Sequence, residues 1–197
     1  LRGDCIMAFV NSLDWNQLQP IFVCGADSNV LDDKVFISNG GSTITAANGN
    51  NGQTMNAYVK GVARGSFKIQ FKLGYTWGYS RFYMANSSII SQSSPNDGNY
   101  ASPNVNGLRF MNNNSNNVLF VDKNVNGTTS QILNTTGVSD TIISLWRDSS
   151  NVVKYKVGSA ATTTVGTFTD IFVFGVTLQS PASCELIMAM GLAEAPS

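Results

Sequence analysis

Apolar and polar residues alternate along this chain far more often than they recur at helical spacing. Across residues 66–73, Phe67, Ile69, Phe71 and Leu73 fall on one face of an extended strand, while Lys68, Gln70 and Lys72 fall on the other. Val153, Tyr155 and Val157 alternate with Lys154 and Lys156 in the same way. The polar cluster at 148–151 joins that strand to residues 142–146 as a hairpin. Residues 170–178 are almost continuously apolar, as expected of a strand covered on both faces. At 183–190, Cys184, Leu186, Met188 and Met190 share one phase, which reads Cys184 as a buried apolar residue. Weaker strand signals lie at 34–38, 43–46, 55–60, 81–85, 108–111 and 118–122.

Turn chemistry separates these runs. Asn39-Gly40-Gly41, Asn51-Gly52, Asp97-Gly98, Asn106-Gly107 and Asn126-Gly127 tolerate the positive φ that tight hairpins need. The asparagine run at 112–117 reads as a solvated loop between two strands. Ten or more short strands at this spacing predict an all-β fold, a two-sheet antiparallel β-sandwich. Residues 1–30 are expected to form an N-terminal strand or linker packed on the domain, and 31–197 the β-sandwich binding domain.

Composition narrows the function. Charged residues make up only 12% of the chain, about half the ~25% usual for a soluble domain, so Asn, Ser, Thr and Gln must supply the polar surface. Twelve basic and twelve acidic residues cancel, leaving no footprint for nucleic acid. No apolar run approaches the ~20 residues of a membrane span, so no direct membrane insertion is expected. Three cysteines leave at least one unpaired; a Cys5–Cys24 or a Cys5–Cys184 bridge is the alternative to buried thiols. There is no histidine, and the only glutamates are Glu185 and Glu194. General acid–base chemistry and zinc sites lean on those residue types, so the chain reads as a non-enzyme with no catalytic residue, metal or cofactor.

Several stretches resemble the concanavalin A-like jelly roll, especially its SPRY-like branch. Residues 35–45 (VFISNGGSTIT) resemble its opening segment, and 65–71 (GSFKIQF) occupy the place of a characteristic strand. Residues 140–148 (DTIISLWRD) with 151–158 (NVVKYKVG) resemble its central hairpin, and 172–178 (FVFGVTL) the strand after it. The resemblance spans about four-fifths of the chain and implies the fold. Its glucanase members carry a Glu-x-Asp-x-x-Glu constellation, because retaining hydrolysis uses two carboxylates ~5 Å apart, and no such motif exists here. The Glu-x-Asp strand and Asp-rich loop of metal-dependent legume lectins are missing as well.

The most site-like segment is 74–81, where Tyr75, Trp77, Tyr79 and Arg81 sit beside Gly74 and Gly78 at the end of a strand. Aromatic faces stack on sugar rings, and Arg and Asn bond to hydroxyls or carboxylates. The same spacing also suits aromatics packed between sheets. A long polar stretch follows, from Asn86 to Asn106, and loops of that length tend to carry function. Trp77, Tyr79, Arg81, Asn86, Asp97, Asn99 and Tyr100 are therefore the expected ligand-binding residues. Asp97 and Asn99 alone fall short of the ~6–8 oxygens that Ca²⁺ takes. Trp15 and Trp146 are read as core. Arg2-Gly3-Asp4 and the Asn-x-Ser/Thr sequons at Asn86, Asn113, Asn126 and Asn134 are read as chance matches.

The leading expectation is a non-catalytic binding module: a receptor- or glycan-binding head of a virus or phage surface protein, mediating host attachment. Its partner would be a cell-surface glycan or glycoprotein receptor, its place extracellular or on the virion surface, with a homo-oligomer formed through the parent protein. A structural capsid or fibre module, and a carbohydrate-binding domain appended to a secreted enzyme, stand as alternatives.

Overall fold

The computed structural model describes residues 22–24, 35–46, 54–59, 61–74, 79–86, 105–113, 117–136, 140–179 and 182–193. Among these residues there are fourteen strands, one 3₁₀ turn and no α-helix. One sheet runs, in spatial order, β1 (Phe22–Cys24), β4 (Thr54–Val59), β13 (Phe172–Gln179), β6 (Tyr79–Asn86), β7 (Gly107–Asn113), β8 (Val118–Val125) and β9 (Thr128–Thr136). The other runs β12 (Thr163–Thr167), β11 (Val152–Val157), β10 (Ile143–Arg147), β5 (Phe67–Leu73), β14 (Ser183–Met190), β3 (Thr43–Ala46) and β2 (Val35–Ser38). All pairings within both sheets are antiparallel, and the two-sheet architecture matches the expected sandwich.

The core forms where the apolar phases of the two sheets meet. Phe67, Ile69, Phe71, Leu145, Val153, Tyr155, Phe172 and Phe174 are all buried, as their period-two spacing predicts. Phe71 of β5 stacks on Phe82 of β6 with ring centroids 3.8 Å apart and meets Phe110 of β7 edge-on at 5.4 Å. Phe110 in turn meets Tyr155 at 5.5 Å. Strand β13 is buried on both sides: Phe172, Phe174, Val176 and Leu178 face the other sheet. Val173, on its outer side, joins Val62, Tyr83, Ala85 and Val105 in a smaller cluster.

Two predicted turns follow their chemistry. Asn126 and Gly127 both take positive φ (50° and 80°) between β8 and β9, and Asn39 and Gly40 do so between β2 and β3 (53° and 66°). In the β10–β11 turn, the Asp148 carboxylate accepts the backbone N–H of Ser150 and of Val152, both at 3.0 Å. Asn106-Gly107 is not a turn. Gly107 opens β7 and pairs with Ala85 and Asn124, lying so close to the Met84 carbonyl that a β-carbon would sit 1.9 Å from it. The asparagine run likewise starts inside β7, where Asn112 is buried. Asn51-Gly52 and Asp97-Gly98 lie outside the described residues.

Three side chains depart from the expected phase. Strand β14 carries a register shift between Leu186 and Met188, which leaves Cys184 and Leu186 inside but turns Met188 and Met190 outward, Met190 to 59% exposure. A single inserted residue flips every position beyond it to the other face. Trp146 is not core: with Leu145 inside, it takes the outer face and is half-buried there. Arg147, next in the inward phase, is buried instead. Its guanidinium donates to the carbonyls of Gly65 (2.8 and 2.5 Å), Asp170 (2.6 Å), Phe168 (3.2 Å) and Ala63 (3.4 Å), and lies over the rings of Phe67 and Phe172. Cys184 is a free buried thiol, which rules out the Cys5–Cys184 bridge. Trp15 and Cys5 lie outside the described residues.

Candidate functional site

Strand β6 divides its side chains by parity. Phe82 and Met84 enter the core, so Arg81 and Tyr83 face away from it, on the outer surface of the first sheet. Register then decides what lies beside them. Arg81 pairs with Thr177 on one side and Met111 on the other, and Met111 pairs with Phe120. One step along, Tyr83 pairs with Gly175 and Arg109, and Arg109 with Asp122. Two cross-strand rows therefore gather Arg81, Tyr83, Arg109, Met111, Phe120 and Asp122 on one surface.

The rows are tied by specific contacts. Arg109 grips Asp122 through Nη2 at 2.6 Å and Nε at 3.2 Å, with the two side chains only 20% and 11% exposed. At that burial the pair is more than a solvated surface bridge. The Arg81 Nε–H points to the Met111 sulfur at 3.1 Å, and the residue is half-buried. Tyr83 is fully buried because its ring lies across Gly175, where a β-carbon would come within 2.3 Å of the ring. The surface thus carries two guanidinium groups, a carboxylate held in place by one of them, and the half-buried ring of Phe120. Planar donors and acceptors beside an apolar ring are what a polyhydroxylated ligand can use.

Of the expected site residues, Arg81 lies on this surface. Tyr79 opens β6 with its backbone paired to Asn113. Trp77, Asp97, Asn99 and Tyr100 lie outside the described residues. Asn86 is not brought to Arg81: five residues along a strand puts it in the opposite phase. It is 8% exposed, and its side-chain amide reaches Asp170 at 3.4 Å. Asp170 also takes the Asn106 amide at 3.4 Å, while its backbone carbonyl holds Arg147. Asn86 therefore joins the polar network that closes the Arg147 end of the sandwich. Tyr83, Arg109, Met111, Phe120 and Asp122 are not singled out by the sequence pattern. The alternation of Arg109 and Met111 about Phe110 was a usable signal, but pairing Arg109 with Asp122 required the hairpin register. Among the described residues no three His, Cys, Asp or Glu side chains gather as metal ligands would.

No protein-family model matches the chain, and no curated protein does. Solved structures do. The carbohydrate binding module CBM66 from Bacillus subtilis shares 11% identity at a TM-score of 0.50, over 81% of this chain and 91% of that one. The SPRY domain of human HERC1 shares 7% identity at 0.51, over 77% and 91%. The Bacillus licheniformis beta-glucanase shares 8% identity at 0.51, over 79% and 80%. These likenesses establish the fold: a jelly-roll β-sandwich of the concanavalin A-like kind.

Proposed function

We propose that the chain is a non-catalytic glycan-binding module that holds sugar on the outer face of the first sheet, around Arg81. The observation that carries this reading is the ordered surface of Arg81, Arg109, Asp122 and Phe120, with Asp122 fixed by Arg109 at 2.6 Å. A similar fold in a carbohydrate binding module and in a beta-glucanase supports a sugar as the ligand class. Between binding and hydrolysis, carboxylate placement favours binding. Retaining glycosidases bring two carboxylates to ~5–5.5 Å. Here Asp122 is engaged by Arg109 on the first sheet, while Glu185 lies on the second, paired with Lys72.

The finer reading is a head domain on the exterior of a virion or a secreted protein, attaching to a cell-surface glycan or glycoprotein. The low charge and the Asn-, Ser- and Thr-rich composition support it. A glycan array with the intact chain, beside Arg81→Ala, tests the site. Saturable binding to a glycan class, lost in the variant at unchanged melting temperature, is expected. No binding to any glycan, or binding indifferent to Arg81, would overturn the proposal.

A further inference from the structure

The opposite side of the sandwich holds a second constellation that the Arg81 surface does not use. On the outer face of the second sheet, Trp146 of β10 stands between Lys68 of β5 and Lys154 of β11 in one cross-strand row, with Met190 beyond Lys68. The adjacent row places Ser144 between Gln70 and Lys156, with Met188 beyond Gln70. The Gln70 side-chain amide donates to the Ser144 hydroxyl at 2.9 Å, which orders that row. Trp146 is here because Leu145 and Arg147 claim the inward phase, and the two methionines because β14 shifts register.

Charge on this face is one-sided. It carries Lys68, Lys72, Lys154 and Lys156 against Glu185 and Asp148, although the whole chain is neutral. Glu185 engages Lys72 at 3.3 Å, and Asp148 engages Lys154 at 2.9 Å. Lys68 and Lys156 make no ion pair with any described residue. At ~4.8 Å between strands, Lys68 and Lys154 stand about 10 Å apart with the indole between them.

We propose that this face binds an acidic polysaccharide, a chain of sugar rings bearing carboxylates. One ring would lie on Trp146, with carboxylates met by Lys68 and Lys156 and hydroxyls by Gln70 and Ser144. An indole accepts the C–H face of a sugar ring, and ammonium groups give charge-assisted bonds to carboxylates. The charge density chooses among polyanions. Duplex DNA carries a charge every ~1.7 Å and calls for a denser basic footprint than two free lysines. A uronate chain, with at most one charge per ring, matches this spacing. The inference is independent of the Arg81 reading, since it uses the other sheet.

Polygalacturonate is the probe and its methyl-esterified form the control, because esterification removes the charge and keeps the ring. The intact chain should bind polygalacturonate in about 50 mM salt at least tenfold more tightly than the ester and lose affinity towards about 200 mM. Quenching or shift of tryptophan fluorescence should accompany binding. Trp146→Ala should weaken binding at least fivefold, as should Lys68→Glu with Lys156→Glu, each at near-normal melting temperature. Should Trp146→Ala fail to fold, Trp146→Phe and the lysine pair still decide. Equal affinity for the ester, indifference to the lysine pair or to the indole, or capture by phosphatidylserine vesicles without polygalacturonate binding would each overturn the proposal.

Discussion

Arg147 is the residue whose removal the structure prices most clearly. Its guanidinium is 1% exposed and is held by backbone carbonyls from two segments, 63–65 and 168–170. Burial pushes its pKa down and the nearby Asp170 carboxylate partly restores it, so the side chain stays charged. Substituting Met keeps the packing on Phe67 and Phe172 but removes every donor. The Ala63 carbonyl is not stranded, because Phe172 N–H still reaches it at 3.0 Å. Gly65 is exposed and Asp170 half-exposed, so water can replace those bonds, whereas Phe168 is buried. One stranded acceptor costs ~1–3 kcal/mol, and loss of the charge-assisted bonds is partly offset by no longer burying a cation. Arg147→Met should therefore cost about 2–4 kcal/mol, a large share of the ~5–15 kcal/mol that stabilises a domain. Arg147→Lys should cost at least as much, because a compact ammonium cannot span both segments and remains a buried charge. Urea unfolding measures both, with midpoints lowered by about 1–2 M at an ordinary m-value. A lysine variant within about 1 kcal/mol of wild type would refute the argument, since charge alone, not the planar fork, would then suffice.

Other outcomes follow from individual contacts. Gly175→Ala should destabilise by roughly 1–3 kcal/mol, because its methyl would meet the buried ring of Tyr83; unchanged thermal unfolding would show that the ring moves freely. Burial pushes the Cys184 thiol far above its ordinary pKa, so Cys184→Ala should leave the count of reagent-accessible thiols in the native protein unchanged and lower it by one after unfolding. A native count that drops in the variant would contradict this. Lys154, then the Val152 N–H, hold Asp148 below the usual carboxylate range. What this carboxylate adds to stability is therefore present above the unfolded pKa of ~3.9 and lost as pH falls through the lower folded value, and an NMR titration midpoint at or above ~3.9 would contradict it. Glycan affinity should vary less than tenfold between about pH 5.5 and 8 for a neutral sugar, since the chain has no histidine; a sharp change near pH 6 would point to a perturbed acid in the site.

The interior strands of the fold were legible because their burial is one-sided or complete. β5, β11 and β13 announce themselves by alternation or by an unbroken apolar run. β9 and β12 did not, and both are edge strands. The sequence TTSQILNTT of β9 is exposed at most positions, so neither face carries an apolar phase to read. Strand β12, TTVGT, is short and polar and pairs through a register shift. Register shifts also explain the misread methionines: alternation gives the phase of a strand only until an extra residue enters it.

The candidate site was less legible for a different reason. Arg81, Met111 and Phe120 are far apart in sequence and become neighbours only through the register of β6, β7 and β8. A linear reading favours residues crowded into one segment, and so it favoured Asn86, which parity then sends to the opposite phase and into contact with Asp170. It also undervalued Arg147 and Trp146, adjacent residues whose roles are exchanged relative to their usual preferences. The larger, more apolar indole lies outside, while the cation lies inside, where it finds five bonds to backbone oxygen. Phase in β10 leaves no other choice once Ile143 and Leu145 face the core. The exchange is tolerable because the inward end of β10 meets carbonyl oxygens where most of the interior meets apolar side chains. The same constraint that buries Arg147 presents Trp146 on the second sheet's outer face. A strand therefore assigns chemistry to its two faces by position first and by residue type second, and departures from type are where a surface acquires something to bind with.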